Sequence, residues 1–204
     1  MFRKKLLDYC RSCFEEIFEQ ERDFEALQKK AEEAGKTYSQ DDHKEVMLKR
    51  QHKLFGNIEF IGELFIEHLL RGDTAKSIFE HLLHPQFFFE DTVEAAIKFL
   101  EKIGIQIEEQ LRKQQESGKG TARKFSQEEY DGILARFDQI WKQSEAAEPG
   151  TRTVSKRIQK LIQNMLENQQ LGWAKLKQND TSIKSKDQIA REMQEKAQKA
   201  AAEQ

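Results

Sequence analysis

Leu54-Phe55-Gly56-Asn57-Ile58-Glu59-Phe60-Ile61-Gly62-Glu63-Leu64-Phe65 is the stretch that decides the fold. On a helix, Leu54, Ile58, Ile61 and Phe65 share one face, and Phe60, Leu64 and His68 widen it to one side. An arc that broad predicts a helix buried against neighbours on two sides. Each glycine inside it costs about 1 kcal/mol relative to alanine, and close backbone approach by a packed neighbour is the expected offset. Glu59, Glu63 and Glu67 recur every four residues on the opposite side. Like charges at that spacing repel by about 0.2–0.5 kcal/mol per pair, so the stripe is expected to face cations.

Working outward, the same helical period accounts for almost the whole chain of 204 residues. Residues 2–34 read as one helix with an apolar stripe from Leu6 to Leu27, closed by Gly35, its end from Phe24 onward charge-rich and prone to fraying. Ser39-Gln40-Asp41-Asp42 caps the helix that carries the opening segment. Arg71-Gly72-Asp73 ends it and begins another over 74–83. Pro85 with Phe87, Phe88 and Phe89 makes a connector whose rings pack mainly inward, at least one staying exposed. Glu90-Asp91-Thr92 then caps a helix reaching Gly104. Residues 112–125, with little apolar content, read as a loop. Ser126 and Glu129 form a capping box for a helix to about Gln143, with Tyr130, Ile133, Leu134, Phe137, Ile140 and Trp141 inward. After a loop over 145–152, a helix from about Thr153 carries Ile158, Leu161, Ile162, Met165, Leu166 and Leu171 and ends at Gly172 and Trp173, the latter read as a helix-end plug. Residues 186–203 read as a peripheral helix with little apolar face.

With two prolines, ten glycines and no strand-length β-branched cluster, the fold class is all-α. Short connectors predict stacked antiparallel helix pairs, an α-solenoid. Residues 1–173 form its repeats and 174–204 a basic linker with the peripheral helix. A charged fraction of 34% suits an elongated helical protein better than a compact enzyme. Residues 1–150 hold 23 Lys and Arg against 30 Asp and Glu, whereas residues 151–204 hold 11 against 6. An acidic body with a basic last quarter points to more than one kind of partner. The first residues do not read as a signal peptide, and no apolar run approaches a membrane span of about 20 residues. An intracellular protein without membrane contact is expected.

No catalytic constellation, metal set or cofactor motif emerges. Cys10 and Cys13 form a C-x-x-C inside a helix, where two reduced thiols are the favoured reading. The chain is expected not to be an enzyme and to carry no cofactor. Asn57 is a cap of the buried segment or a contact residue. Arg152, Lys156, Arg157, Lys160, Lys175, Lys177, Lys184 and Lys186 form the best candidate set for meeting phosphate or an acidic partner, with a solvated face as the equal alternative.

The segment Leu54 to Phe65 closely resembles a helix of the middle domain of eukaryotic translation initiation factor 4G. Three more segments agree in order and spacing. Phe2-Arg3-Lys4-Lys5-Leu6-Leu7 with Cys10 and Phe14-Glu15 looks like the family's third-repeat helix. Ser155-Lys156-Arg157-Ile158 with Leu166-Glu167 and Trp173 is similar to its last helix, and Lys186-Asp187-Gln188-Ile189 to the segment after it. The resemblance implies a HEAT-like, armadillo-type domain of which this chain holds only the later repeats, incomplete at its N-terminal side. It also implies a cytoplasmic adaptor that binds a two-lobed DEAD-box RNA helicase of the initiation factor 4A type, RNA and other initiation factors. Candidate helicase contacts are Asn57, Glu59, Glu63, Lys156 and Arg157, and the eight basic residues above are the candidate RNA contacts. The family's arginine run is diluted here to Lys49-Arg50-Gln51-His52-Lys53, which weakens any contact needing a guanidinium fork. The alternatives are a related adaptor in mRNA decay, splicing or cap recognition, and a helical-repeat module with an unrelated partner.

Overall fold

A computed structural model describes residues 2–20, 22–85, 89–117, 125–146 and 153–173. Seven helices and no strands are found among them: α1 (Phe2–Glu19), α2 (Phe24–Glu33), α3 (Gln40–Ile66), α4 (Gly72–Leu82), α5 (Glu90–Ser117), α6 (Gln127–Glu145) and α7 (Lys156–Gln170). The chain divides into two compact units, Met1–Leu166 and Glu167–Gln204.

The first unit is the all-α solenoid expected, with helices in two layers. In one layer α3 packs on α5, and Arg157 of α7 reaches Glu94 of α5 at 2.6 Å. In the other, His81 of α4 stands edge-on to Phe18 of α1, centroids 4.4 Å apart, and Lys76 of α4 pairs with Glu129 of α6 at 2.9 Å. The core lies between the layers. Leu54, Ile58, Ile61 and Phe65 of α3 are all buried, as their spacing predicts. Phe79 of α4 meets Phe99 of α5 at 4.9 Å between centroids.

Local chemistry sets the helix starts. Ser39 and Asp42 exchange hydrogen bonds as a reciprocal capping box at α3, and Ser126 and Glu129 do the same at α6. Thr92 accepts from the Phe89 amide at 3.2 Å and donates to the Phe89 carbonyl at 2.8 Å, securing the entry to α5.

Five expectations need correction. The helix read over 2–34 is two helices, because Asp23 takes an extended backbone and caps α2 through the Ala26 amide at 2.9 Å. α5 does not stop at Gly104 but runs to Ser117. Gly104 is buried, and Ile107 and Leu111 prolong the buried face, which outweighs one glycine's helix penalty. Residues 112–117 are therefore helical, while 118–124 lie outside the described residues. Phe60 is 44% exposed, and His68, past the end of α3, is exposed with φ +57, so only Leu64 widens the buried arc. Leu171, expected inward, is 62% exposed. The inward packing expected of the three phenylalanines is not among these corrections: Phe89 is half-buried, and Phe87 and Phe88 lie outside the described residues.

In the second unit, residues 167–173 finish α7 and turn. The Trp173 amide donates to the Asn168 carbonyl and the Gly172 amide to the Gln169 carbonyl, each at 2.8 Å. Gly172 and Trp173 both have positive φ, and Trp173 is fully buried. The peripheral helix expected over 186–203 lies outside the described residues.

Candidate functional site

The exposed face of α3 carries Gly56, Glu59, Phe60 and Glu63, and Glu67 at its C-cap continues it. The expectation that this stripe faces cations holds at one position: Lys102 of α5 reaches Glu63 at 2.5 Å. Glu59 and Glu67 make no ion pair among the described residues. Lys98, also on α5, lies 5.1 Å from the Phe55 ring centre. The result is a carboxylate ridge with one open aromatic ring, a surface suited to lysine or arginine side chains of a partner.

The two glycines of this helix behave differently. A β-carbon on Gly62 would come 2.6 Å from Lys102 Cγ, so the close neighbour is there, although it is a side chain and not a backbone. At Gly56 nothing lies within 4 Å, and no packing among the described residues offsets its cost. Asn57 lies in the middle of α3 and so is not its cap; its Nδ2 is buried without a hydrogen-bond partner among the described residues.

The basic candidates divide into four groups. Lys156 is exposed at the start of α7 and makes no ion pair among the described residues. Arg157 donates to Glu94 at 2.6 Å, and this bond is the largest cause of its raised pKa. Lys160 donates to Gln163 at 3.2 Å. Arg152, Lys175, Lys177, Lys184 and Lys186 lie outside the described residues. At the approach to α7, the Ser155 amide already donates to Glu90 at 2.6 Å, so an incoming anion there competes with a carboxylate.

Between α6 and α7 the chain forms a hollow of about 420 Å³ lined by Trp141, Ser144, Glu145, Lys156, Gln159, Lys160 and Gln163. Its corner is fixed by hydrogen bonds. Gln159 donates to the carbonyls of Val154 at 3.0 Å and Ser144 at 3.4 Å, and the Val154 amide donates to Ser144 Oγ at 3.2 Å. Trp141, expected inward, is half-buried, with part of its surface in this hollow. Helical period alone puts Trp141 near the edge of the buried arc, and only the neighbouring helix decides which way it leans. A second, larger hollow of about 730 Å³ lies between α4 and α6, where Phe79, Leu83 and Ile133 are flanked by Lys76, Glu80 and Arg136.

One cluster went unread in the sequence. Arg50, 2% exposed, donates through Nε to the Ile17 carbonyl at 3.0 Å and through Nη1 to Asp91. Arg22 meets the same carboxylate at 3.1 Å and lies 3.7 Å above the Phe89 ring. Burial pushes Arg22 down to about 10, while Asp91 pulls the other way. Two guanidiniums on one carboxylate tie α3, the segment between α1 and α2, and the start of α5 together. The tie is structural, and it explains the basic residue within an otherwise buried face.

Comparison with known proteins bears out the resemblance read from the sequence. The chain is similar to Eukaryotic translation initiation factor 4 gamma 1 of Oryctolagus cuniculus, 28% identical over 196 residues that cover 94% of this chain and 12% of that protein. It is also similar to Eukaryotic translation initiation factor 4G of Arabidopsis thaliana, 29% identical over 118 residues, 57% of this chain and 7% of that protein. The chain thus spans only a small part of the length of either relative. No family model matches the chain, and no solved structure matches it.

Proposed function

We propose that this chain is a non-catalytic scaffold of cytoplasmic translation initiation that binds a DEAD-box RNA helicase of the initiation factor 4A type, RNA and other initiation factors. The observation that carries the reading is similarity to an initiation factor 4 gamma 1 across 94% of the chain. The physics of the fold is compatible. A stack of helices tied by Arg50, Asp91, Arg157 and Glu94 holds its surfaces at fixed separation. Binding two helicase lobes on such a stack raises the effective concentration of one lobe for the other. It speeds the helicase cycle only if the scaffold prefers one arrangement of the lobes over another.

The acidic, aromatic face of α3 supports contact with a basic protein surface, through Glu59 and Glu63; Asn57, its Nδ2 buried, lies off that face. The start of α7 supports contact with RNA through Lys156 and Lys160. Arg157 serves the stack first, because Glu94 holds it.

The test is a pull-down with the tagged chain before and after nuclease. Retention of the helicase after nuclease, together with cap-binding and ribosomal initiation factors, is the expected result. Retention of a DEAD-box helicase with decay or splicing factors instead moves the chain to another RNA process. Absence of any helicase overturns the reading.

A further inference from the structure

We propose that the hollow between α6 and α7 holds one nucleotide of single-stranded RNA, its base stacked on Trp141 and its phosphates met by Lys156 and Lys160. This rests on the RNA-binding part of the function proposed above and gives it a defined site.

The two walls differ in chemistry. From α6 come Trp141 and, one turn later, Glu145; from α7 come Lys156 and, one turn later, Lys160. An aromatic face beside two cations is the arrangement that single-strand binders use, because every base has a π-face and every nucleotide a phosphate. Glu145 orients the ligand. Its carboxylate repels phosphate, so the α6 wall takes the base, whose ring N–H and amino groups can donate to Glu145. The phosphates then fall to the α7 wall. An acidic peptide would satisfy the lysines but would set its carboxylates against Glu145 and leave the indole face unused.

Size and rigidity agree. About 420 Å³ lies within the range of about 300–1,000 Å³ for small-ligand sites. The walls are held in place before any ligand arrives, since Ser144 and Gln159 join the end of α6 to the approach of α7. Lys156 has no ion pair to give up among the described residues, and Lys160 gives up only a neutral hydrogen bond to Gln163.

The chain has two tryptophans, and Trp173 is fully buried, so intrinsic fluorescence can report on Trp141. The full chain is titrated with an oligoadenylate of about fifteen nucleotides, following both fluorescence and oligonucleotide anisotropy. Expected are binding with quenching, and a loss of affinity of about tenfold or more in Trp141→Ala. In the exposed double variant Lys156→Gln, Lys160→Gln, the slope of log affinity against log salt becomes shallower by about 1.4. Circular dichroism confirms the fold of both variants, and the lysine variant alone decides if Trp141→Ala unfolds. Binding that neither variant alters overturns this site while leaving RNA binding elsewhere on the chain. No binding at all overturns the RNA-binding reading and the site with it. Equal quenching by AMP and by the oligonucleotide overturns the assignment to a strand, because a free nucleotide then suffices.

Discussion

The Cγ of Lys102 lies 2.6 Å from where a β-carbon on Gly62 would stand, while its Nζ pairs with Glu63 at 2.5 Å. One lysine of α5 thus crosses α3 over a glycine to reach the next residue's carboxylate. The lysine stem needs the missing side chain; the ion pair fixes where the stem runs.

Gly62→Leu should therefore destabilise the chain by about 1–3 kcal/mol through overpacking against Lys102 and Ile103. Gly56→Ala should do the opposite, stabilising by about 0.5–1 kcal/mol, because its β-carbon would meet nothing. Thermal melts of the two variants should shift in opposite directions. A shared direction refutes this assignment of the faces of α3.

Asp91→Asn removes the carboxylate that Arg22 and Arg50 share in a largely buried place. A cost of about 3–5 kcal/mol is expected, measured by urea denaturation. Replacing Glu59, Glu63 and Glu67 together with glutamine should change stability by less than about 1 kcal/mol. If the ranking is reversed, the carboxylate ridge belongs to the fold and not to a partner.

Lys156 and Arg157 are adjacent but should respond differently to charge reversal. Lys156→Glu should leave the melting temperature nearly unchanged and weaken RNA binding. Arg157→Glu sets a carboxylate against Glu94, which is 8% exposed, and should lower the melting temperature clearly. Equal melting temperatures in the two variants would count against the Arg157 to Glu94 bond.

Two capping carboxylates give the stack an acid-sensitive component. Asp42 is held below its ordinary 3.8 by the Ser39 hydroxyl and then the Ser39 amide; Glu129 is held below its ordinary 4.5 by the Ser126 amide and then by Lys76. A depressed folded pKa means that the unfolded chain binds the proton more readily. The stabilisation is complete above those ordinary values and is lost as pH falls through the lower folded ones. Melts from about pH 6 to about pH 3 should show a smaller acid-induced loss in Glu129→Gln than in the parent. A parallel loss in both would show that Glu129 contributes nothing to the slope.

What the sequence made legible was periodic or local. Leu54, Ile58, Ile61 and Phe65 announced a buried face through their spacing, and Ser39 with Asp42 and Ser126 with Glu129 announced helix starts through capping chemistry. Where two local signals conflicted, the reading failed. Gly104 marked an end for α5, yet Ile107 and Leu111 buried beyond it outweigh one glycine. Apolar residues on both sides of Asp23 disguised the break between α1 and α2. Pairings across long separations left no local mark at all: Arg157 with Glu94, Arg50 with Asp91, and the lean of Trp141 toward α7 all depend on which helices become neighbours. Of the candidate site, composition indicated the basic start of α7, whereas the ring and carboxylate opposite it come from helix packing.

The first turn of α5 is held from both directions along the stack. Asp91 is gripped by Arg22 and Arg50 from the α1 and α3 side, while Glu90 and Glu94 are gripped by Ser155 and Arg157 from the α7 side. A helix start is ordinarily where amides fray and exchange first. Here, fraying means releasing four groups on three other segments at once, so the Thr92 and Val93 amides, both bonded to the Phe89 carbonyl, should exchange with solvent more slowly than those of an ordinary helix start. For a partner pulling on either end of the first unit, the start of α5 is where tension converges and where the stack yields last.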